Sequence, residues 1–139
     1  MKALHAIALG FGLLFAAAAA DAQGVSVHAD IPFPFVVGRQ TLPAGAYDLR
    51  SGGASYEILM IQSAEGKKTT PSTTNACGGG TPAQNTELVF HRIGKRYFLS
   101  QIEVQGYPEG RQLPKSRAEA EMALNQTTDN VVIFARIAN

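Results

Sequence analysis

Two histidines and one aspartate are the side chains of this sequence best suited to bind a metal ion. His28 and Asp30 are two positions apart, so in an extended strand they share one face, whereas His91 lies far along the chain. Three such residues do not specify the convergent geometry and supporting hydrogen bonds that a metal centre needs. We favour the alternative in which both histidines face solvent on polar strand faces, and we predict neither a metal nor another cofactor.

Cys77 is the only cysteine of the chain, so it has no partner for an intramolecular disulfide. As a nucleophile it would need His28 or His91 as its base at about 3 Å. The glycines at 78–80 hold a thiol poorly, and they lack the lysine and hydroxyl that follow the glycines of a phosphate-binding loop. We predict an unpaired thiol.

Carboxylate pairs that would cleave a glycosidic bond are not predicted either. Glu103 and Glu109 flank a turn, and Glu119 and Glu121 belong to a predicted helix, so neither pair is expected to face one cleft. The Gly-x-Ser-x-Gly motif of serine hydrolases is absent from the sequence. The types and spacing of these residues therefore assign no catalytic site.

Tyrosine rings are the remaining groups that could bind a ligand, by stacking on a sugar. The sequence has no tryptophan and four tyrosines, Tyr47, Tyr56, Tyr97 and Tyr107. At least two of them fall on strand positions where an aromatic ring packs in the core. Tyr107, which lies in a turn, is the best exposed candidate.

The N-terminal residues have the pattern of a secretory leader. Lys2 supplies a positive start, residues 3–20 form an apolar run, and Ala20-Asp21-Ala22 matches the small-x-small cleavage pattern. We predict a helical signal peptide over residues 1–22, cleaved after Ala22, and a secreted or periplasmic protein. A retained anchor is disfavoured because alanines weaken the end of the run and no basic cluster follows it, so we expect no stable membrane insertion.

The charge of the chain argues against a nucleic-acid partner. The formal net charge is +1, and the charged residues are dispersed apart from Lys67-Lys68 and Lys95-Arg96. Binding to a phosphate backbone needs concentrated positive charge, which this sequence lacks. Residues 23–139 suit a single domain with a core of its own.

Alternating apolar residues begin directly after the leader. From Val25 to Val37 every second residue is apolar, which is typical of a β-strand. Pro32 and Pro34 cannot donate to a central ladder, so we predict either an edge strand or two short strands separated by an extended Pro-Phe-Pro segment. In both cases Phe33 and Phe35 face the core.

Later segments predict further strands and one helix. Residues 93–95 are the turn of a predicted hairpin, and Ser116 and Glu119 match a capping box that begins a short helix ending near Asn125. The other predicted strands are residues 47–49, 56–61, 87–92, 97–104 and 131–137. We predict an antiparallel β-sandwich or small barrel of six to eight strands with one short helix.

Residues 64–86 are rich in glycine and threonine and predict a flexible loop. Within it, residues 67–74 are compatible with an exposed edge strand. Because the core constrains this segment least, it is also a predicted place for a partner to bind.

Two blocks of the sequence resemble a known group of proteins. Residues 31–49, IPFPFVVGRQTLPAGAYDL, and the later stretch RYFLSQIEVQGYPEGRQLPKSRAE are similar to the signature of small exported β-rich proteins common in acidobacterial genomes. The turn Leu-Pro-Ala-Gly-x-Tyr also resembles strand entries of immunoglobulin-like and prealbumin-like surface modules. These resemblances imply export and a β-rich fold, and they assign no activity.

The sequence thus predicts an exported non-enzymatic β-domain that acts by binding or assembly at the cell surface or in the periplasm. Self-association through the proline-marked first strand, reinforced by Cys77, is the expected mode. The first alternative is a module that binds a carbohydrate or an apolar ligand. The second alternative is a hydrolase or metalloenzyme that uses His28, His91 and Cys77.

Overall fold

The computed structural model describes residues 25–52, 57–66 and 68–138. The predicted leader, residues 1–22, and Tyr56 lie outside the described residues. Within the described part of the chain, no helix has the length and apolar character needed to cross a bilayer.

The period-two pattern of the sequence folds into strands, as predicted. In chain order the elements are β1 (Ser26–Ile31), β2 (Phe35–Val37), β3 (Gln40–Leu42), β4 (Gly45–Gly52), β5 (Ile58–Ser63), β6 (Thr69–Thr73), β7 (Asn75–Cys77), β8 (Glu87–Ile93), β9 (Arg96–Glu103), β10 (Gly110–Gln112), α1 (Arg117–Ala123), β11 (Thr128–Phe134) and β12 (Arg136–Ala138). The predicted hairpin is confirmed, since β8 and β9 pair around Gly94 and Lys95.

The strands form two open sheets. The first has five antiparallel strands in the order β12-β1-β4-β5-β6. The second has seven strands; β11-β8-β9-β10-β7 lie side by side, and β2 pairs antiparallel with β3 and parallel with β9. The mainly β, sandwich-like architecture is confirmed, and the described strands do not close into a barrel.

The strand count exceeds six to eight because of very short strands. β2, β3, β7, β10 and β12 have three residues each, fewer than the four that an alternation pattern needs to be recognised. Each strand of five or more residues overlaps a segment for which the sequence predicts a strand, and β6 falls in the segment compatible with an exposed edge strand.

The first strand is interrupted at Pro32–Pro34 and is not an edge strand. β1 lies between β12 and β4, and β2 joins the other sheet. Both prolines lie outside the strands, so neither has to donate to a ladder. Of the two predictions, the pair of short strands is confirmed. Phe35 is fully buried, as predicted, and Phe33 is half-buried against the core.

The predicted strand at residues 131–137 is in fact two strands that belong to different sheets. β11 ends the seven-stranded sheet, β12 ends the five-stranded sheet, and Ala135 joins them. The Ala135 N–H donates to the carbonyl oxygen of Thr86 at 2.9 Å, which fixes the bend between the two strands. Strands that change sheets through such a bend are common at the corners of sandwiches.

Residues 64–86, which the sequence predicts as a loop with a segment compatible with an edge strand, contain two strands, β6 and β7. β6 is an edge strand, as the alternative predicted. The hydroxyls of Thr70 and Thr74 donate to Gln40 Oε1 at 3.2 Å and to the Glu57 carbonyl at 3.0 Å. The threonine content made this segment resemble a loop. Threonine is β-branched and suits a strand, however, and these hydrogen bonds satisfy its buried hydroxyls.

Tyr47 anchors the turn that precedes β4. Its ring is buried, and its hydroxyl donates to the carbonyl oxygen of Pro43 at 2.6 Å. Burial also raises the pKa of the Tyr47 phenol. A tyrosine hydroxyl that bonds the backbone a few residues upstream resembles the tyrosine corner of immunoglobulin-like sandwiches. The Leu-Pro-Ala-Gly-x-Tyr segment therefore has a structural role.

Replacing Tyr47 by Phe removes this hydrogen bond and keeps the ring. We expect the free energy of unfolding to fall by about 1 kcal/mol, the usual net value of one such bond. Urea denaturation of Tyr47→Phe and of the matched control Tyr107→Phe, whose ring is exposed, measures this. An equal effect of both substitutions would contradict an anchoring role for the Tyr47 hydroxyl.

Candidate functional site

His28 lies on β1 and points away from the core, because its neighbours Val27 and Ala29 are buried. Its Nδ1 lies 2.8 Å from Asp48 Oδ1, and its Nε2 lies 3.8 Å from Asp30 Oδ1. A carboxylate only accepts, so Nδ1–H is the donor to Asp48. The imidazole therefore lies on the polar outer face of the five-stranded sheet, where pairing with Asp48 leaves it half-buried rather than fully exposed.

His91 lies on the outside of the other sheet and is also half-buried. Its Nδ1 lies 2.6 Å from Oε1 of Glu119, whose side chain is almost wholly inaccessible to solvent. The Ser116 hydroxyl accepts from the Glu119 N–H at 3.1 Å, so the predicted start of α1 is confirmed. The Glu119 carboxylate, however, bonds His91, because the helix packs against β8.

The bond between Glu119 and His91 fastens α1 to the sheet. We expect Glu119→Ala to lower the free energy of unfolding by about 2 kcal/mol, as for other hydrogen bonds to a charged group. The matched control is Glu121→Ala in the same helix, which removes only an exposed pair with Arg117 and should change the stability by less than about 1 kcal/mol. Equal losses in urea denaturation would contradict this role of Glu119.

The residues suggested for catalysis do not meet in one site. His28 and His91 lie on opposite outer faces of the sandwich. Cys77 lies on β7, three strands from β8, so the strand spacing alone separates it from His91 by at least about 14 Å. Burial, followed by the nearby Glu103 carboxylate, raises the pKa of the Cys77 thiol, against an opposing effect of Arg111. A raised pKa lowers the thiolate fraction, which is the reactive form. Among the described residues, no group of histidine, cysteine and acidic side chains is arranged to hold a metal ion.

The described tyrosines occupy the positions that the sequence predicted. Tyr47 is buried, and Tyr97 is half-buried with its ring stacked on Phe33 at a centroid distance of 3.7 Å. Tyr107 is 49 % exposed. Its carbonyl accepts from the Ala83 N–H at 3.1 Å, so it lies at the end of the sandwich where residues 83 and 105 pair.

The helix covers only part of the outer face of the seven-stranded sheet. Beneath it, Val36, Ile93 and Phe98 form a second small core with apolar side chains of α1. Toward the other end of β8, the alternation of buried and accessible residues leaves a second group of side chains on this face. We call this group the open face, and it comprises Glu87, Val89, Gln101, Glu103, Val132 and Phe134.

Two carboxylates lie opposite each other on the open face, a pair that sequence reasoning missed. Glu87 and Glu103 are cross-strand neighbours, and Phe134 is the neighbour of Glu87 on β11. Glu103 accepts a bond of 2.7 Å from Gln101 Nε2. Burial, followed by the charge of Glu103 and a hydrogen bond with it, raises the pKa of Glu87. Such a pair favours one bound proton.

The raised pKa of Glu87 makes stability depend on pH. The folded state binds the proton of Glu87 more tightly than the unfolded state, so proton binding stabilises the fold. This contribution is complete when the pH is below the pKa of Glu87 in the unfolded chain, and it is lost as the pH rises through the pKa of Glu87 in the folded chain. Glu87→Gln stays neutral, and we expect it to be more stable than the parent at pH 7, with the difference vanishing below about pH 4. Urea midpoints at both pH values measure this.

The control for this experiment is Glu109→Gln, which changes the net charge equally at an exposed position. It should leave the pH dependence of stability unchanged. If Glu87→Gln and Glu109→Gln behave alike, the interaction between Glu87 and Glu103 does not govern the effect.

Exposed apolar side chains concentrate at the edge formed by β11 and β12. Phe134 is 70 % exposed, Val132 43 % and Ile137 41 %. Scattered exposed hydrophobic residues are normal, whereas a group on one surface indicates an interaction site. These three residues fall within six positions of the chain, so the edge is the best candidate for an interaction surface.

A cleft of about 380 Å³ lies beside this edge, at the bend through Ala135. Its lining includes Asn85, Gln105, Phe134 and Ile137. It is an open groove with both amide and apolar walls. The cleft and the apolar edge therefore form one continuous candidate site.

Comparisons with protein-family models, with curated proteins and with solved structures find no match for the chain.

Proposed function

We propose that the chain is an exported, non-enzymatic β-domain that acts by assembly, pairing with a second copy of itself through the edge segment, residues 128–138. The observation that carries this proposal is the exposure of Phe134, 70 %, on a strand that ends its sheet. An edge strand that is long and apolar is a ready template for another strand.

The backbone of the edge segment supports strand addition. β11 pairs with β8 along all seven of its residues, and among the described residues no strand pairs with its other edge. β12 likewise ends the five-stranded sheet. The sequence expectation that β1 provides the edge is wrong, because β12 covers part of one side of β1 and β4 covers the other.

The sequence of β11 suits an antiparallel pairing with its own copy. A two-fold axis at Val131 would place Asp129, the only charged residue of this strand, opposite Ile133 of the second copy. Like charges therefore do not meet across the pair, which is the condition for stable cross-strand neighbours. Val132 would pair with Asn130 of the other copy, and the sheet would continue through both domains.

Cys77 does not reinforce this assembly. It lies on β7, at the opposite end of the strand order from β11. A disulfide between copies would therefore need a different surface, and the proposed pairing depends on backbone hydrogen bonds and apolar side chains alone.

The proposal of export rests on the leader pattern at residues 1–22 and on the resemblance to small exported proteins. A β-domain that presents an apolar edge outside the cytoplasm has the features of a surface or periplasmic assembly module. The separation of His28, His91 and Cys77 supports a binding role over a catalytic one.

Light scattering coupled to size-exclusion chromatography tests the assembly. We expect a dimer or larger species that dissociates on dilution, and we expect Phe134→Ser to shift it to the monomer. The matched control is Ile58→Ser, which removes another exposed apolar residue, on the five-stranded sheet. A strict monomer at high concentration, or an equal effect of both variants, would exclude assembly through this edge.

The second candidate function is a module that binds a small apolar or carbohydrate ligand. The cleft beside Phe134 and Gln105 favours it. An exposed aromatic ring at the rim of a groove can stack on a ring of the ligand. The same chromatography distinguishes the two functions. A protein that binds a ligand in this cleft must keep Phe134 accessible and is expected to be a monomer, whereas assembly through the edge buries Phe134.

A further inference from the structure

A second groove lies beside the start of α1, and its lining is more strongly charged. Its volume is about 550 Å³, and it is bounded by the turn between β2 and β3, the start of β9 and the start of α1. Four basic side chains from these separate segments line it, Arg39, Arg96, Lys115 and Arg117. One carboxylate, Glu121, lines it with them.

The charges in this groove do not balance. Glu121 pairs with Arg117 at 3.0 Å. The guanidinium of Arg96 lies 5.3 Å from the centroid of the Phe98 ring and donates to Met122 Sδ at 3.8 Å. In the described parts of the chain, no salt bridge involves Arg39, Arg96 or Lys115.

This local excess contrasts with the rest of the molecule. The whole chain has a formal net charge of +1, yet three unbalanced cations line one groove. Like charges held together raise the local potential and attract counter-ions. The arginine fork is suited to the planar recognition of phosphate and carboxylate oxygens.

We propose that this groove binds a ligand through a diphosphate or another phosphate group of two or more negative charges. Three cations are matched by a dense multiple charge, which a phosphate carries within one small group and a single carboxylate does not. Arg96 is held in place by Phe98 and Met122, so it is ordered before the ligand binds. Arg39 and Lys115 are exposed and approach the ligand from the other walls.

Isothermal titration calorimetry with inorganic pyrophosphate tests the site. The protein is purified in the form that its host produces. We expect saturable binding that weakens with salt, and a loss of affinity of about tenfold in Arg39→Ala/Lys115→Ala, from two modest charge contacts. The matched control is Arg50→Ala/Lys68→Ala, which removes the same charge from exposed positions outside the groove. It should bind as the parent does.

A second arm distinguishes the sources of the phosphate group. Vesicles of phosphatidylcholine with phosphatidic acid present the same chemistry on a lipid, and vesicles without phosphatidic acid are their control. Binding to pyrophosphate but not to the vesicles identifies a soluble ligand. Binding to both probes, with the same loss of affinity in Arg39→Ala/Lys115→Ala, identifies the lipid headgroup as an additional source of the phosphate group. No saturable binding to either probe, equal loss in the control variant, or equal affinity for citrate would overturn the proposal.

Discussion

Phe35 forms the contact on which the sandwich depends. Its ring is fully buried. It packs edge to face against Tyr47 of the five-stranded sheet, at a centroid distance of 5.1 Å, and against Phe90 of the seven-stranded sheet, at 5.6 Å. Truncating such a ring costs about 3–5 kcal/mol, a large part of the 5–15 kcal/mol that stabilises a typical domain. The Tyr47 hydroxyl bond to Pro43 holds one wall of this contact, so the turn before β4 positions the ring that joins the sheets.

The chain changes sheets four times, and two of these crossings decide which surfaces stay open. The crossing after β1 places Phe35 in the core, and the bend at Ala135 leaves β11 and β12 at the ends of their sheets. Helix α1 has seven residues and is therefore about 10 Å long, whereas the five strands from β11 to β7 span about 20 Å. One short helix cannot cover the whole outer face, so the open face and its edge remain accessible.

Alternation predicts the strands of this protein well because it reports directly which side chains face a common core. The strands from Val25 and from Glu87, the hairpin at Gly94 and the start of α1 at Ser116 all follow from local pattern. The bend at Ala135 does not, since residues 131–137 are apolar at every position except Arg136 and predict one strand, which the hydrogen bond from Ala135 to Thr86 divides. Tertiary pairing, not local preference, decides such a point.

The carboxylate pair shows why the candidate site was harder to predict than the fold. Counting back from the turn at Gly94, an unbroken ladder would place Glu87 opposite Ile102. A bulge between Val89 and Phe90 shifts the register by one residue, so Glu87 lies opposite Glu103. The sequence carries no clear signal for that bulge. The pairing, the raised pKa of Glu87 and the acidic side of the open face all follow from the shift.

The same pair bears on how two copies could meet. Stacking one open face on another would remove Glu87 and Glu103 from water, and burying carboxylates without cationic partners is costly. Pairing along the edge of β11 adds a strand beside Phe134 and leaves these carboxylates at the surface. The one charged side chain of β11, Asp129, lies near the end of the strand away from Phe134, where its carboxylate accepts a hydrogen bond of 3.0 Å from Arg92. The distribution of charge therefore favours lateral growth of the sheet over stacking of its faces.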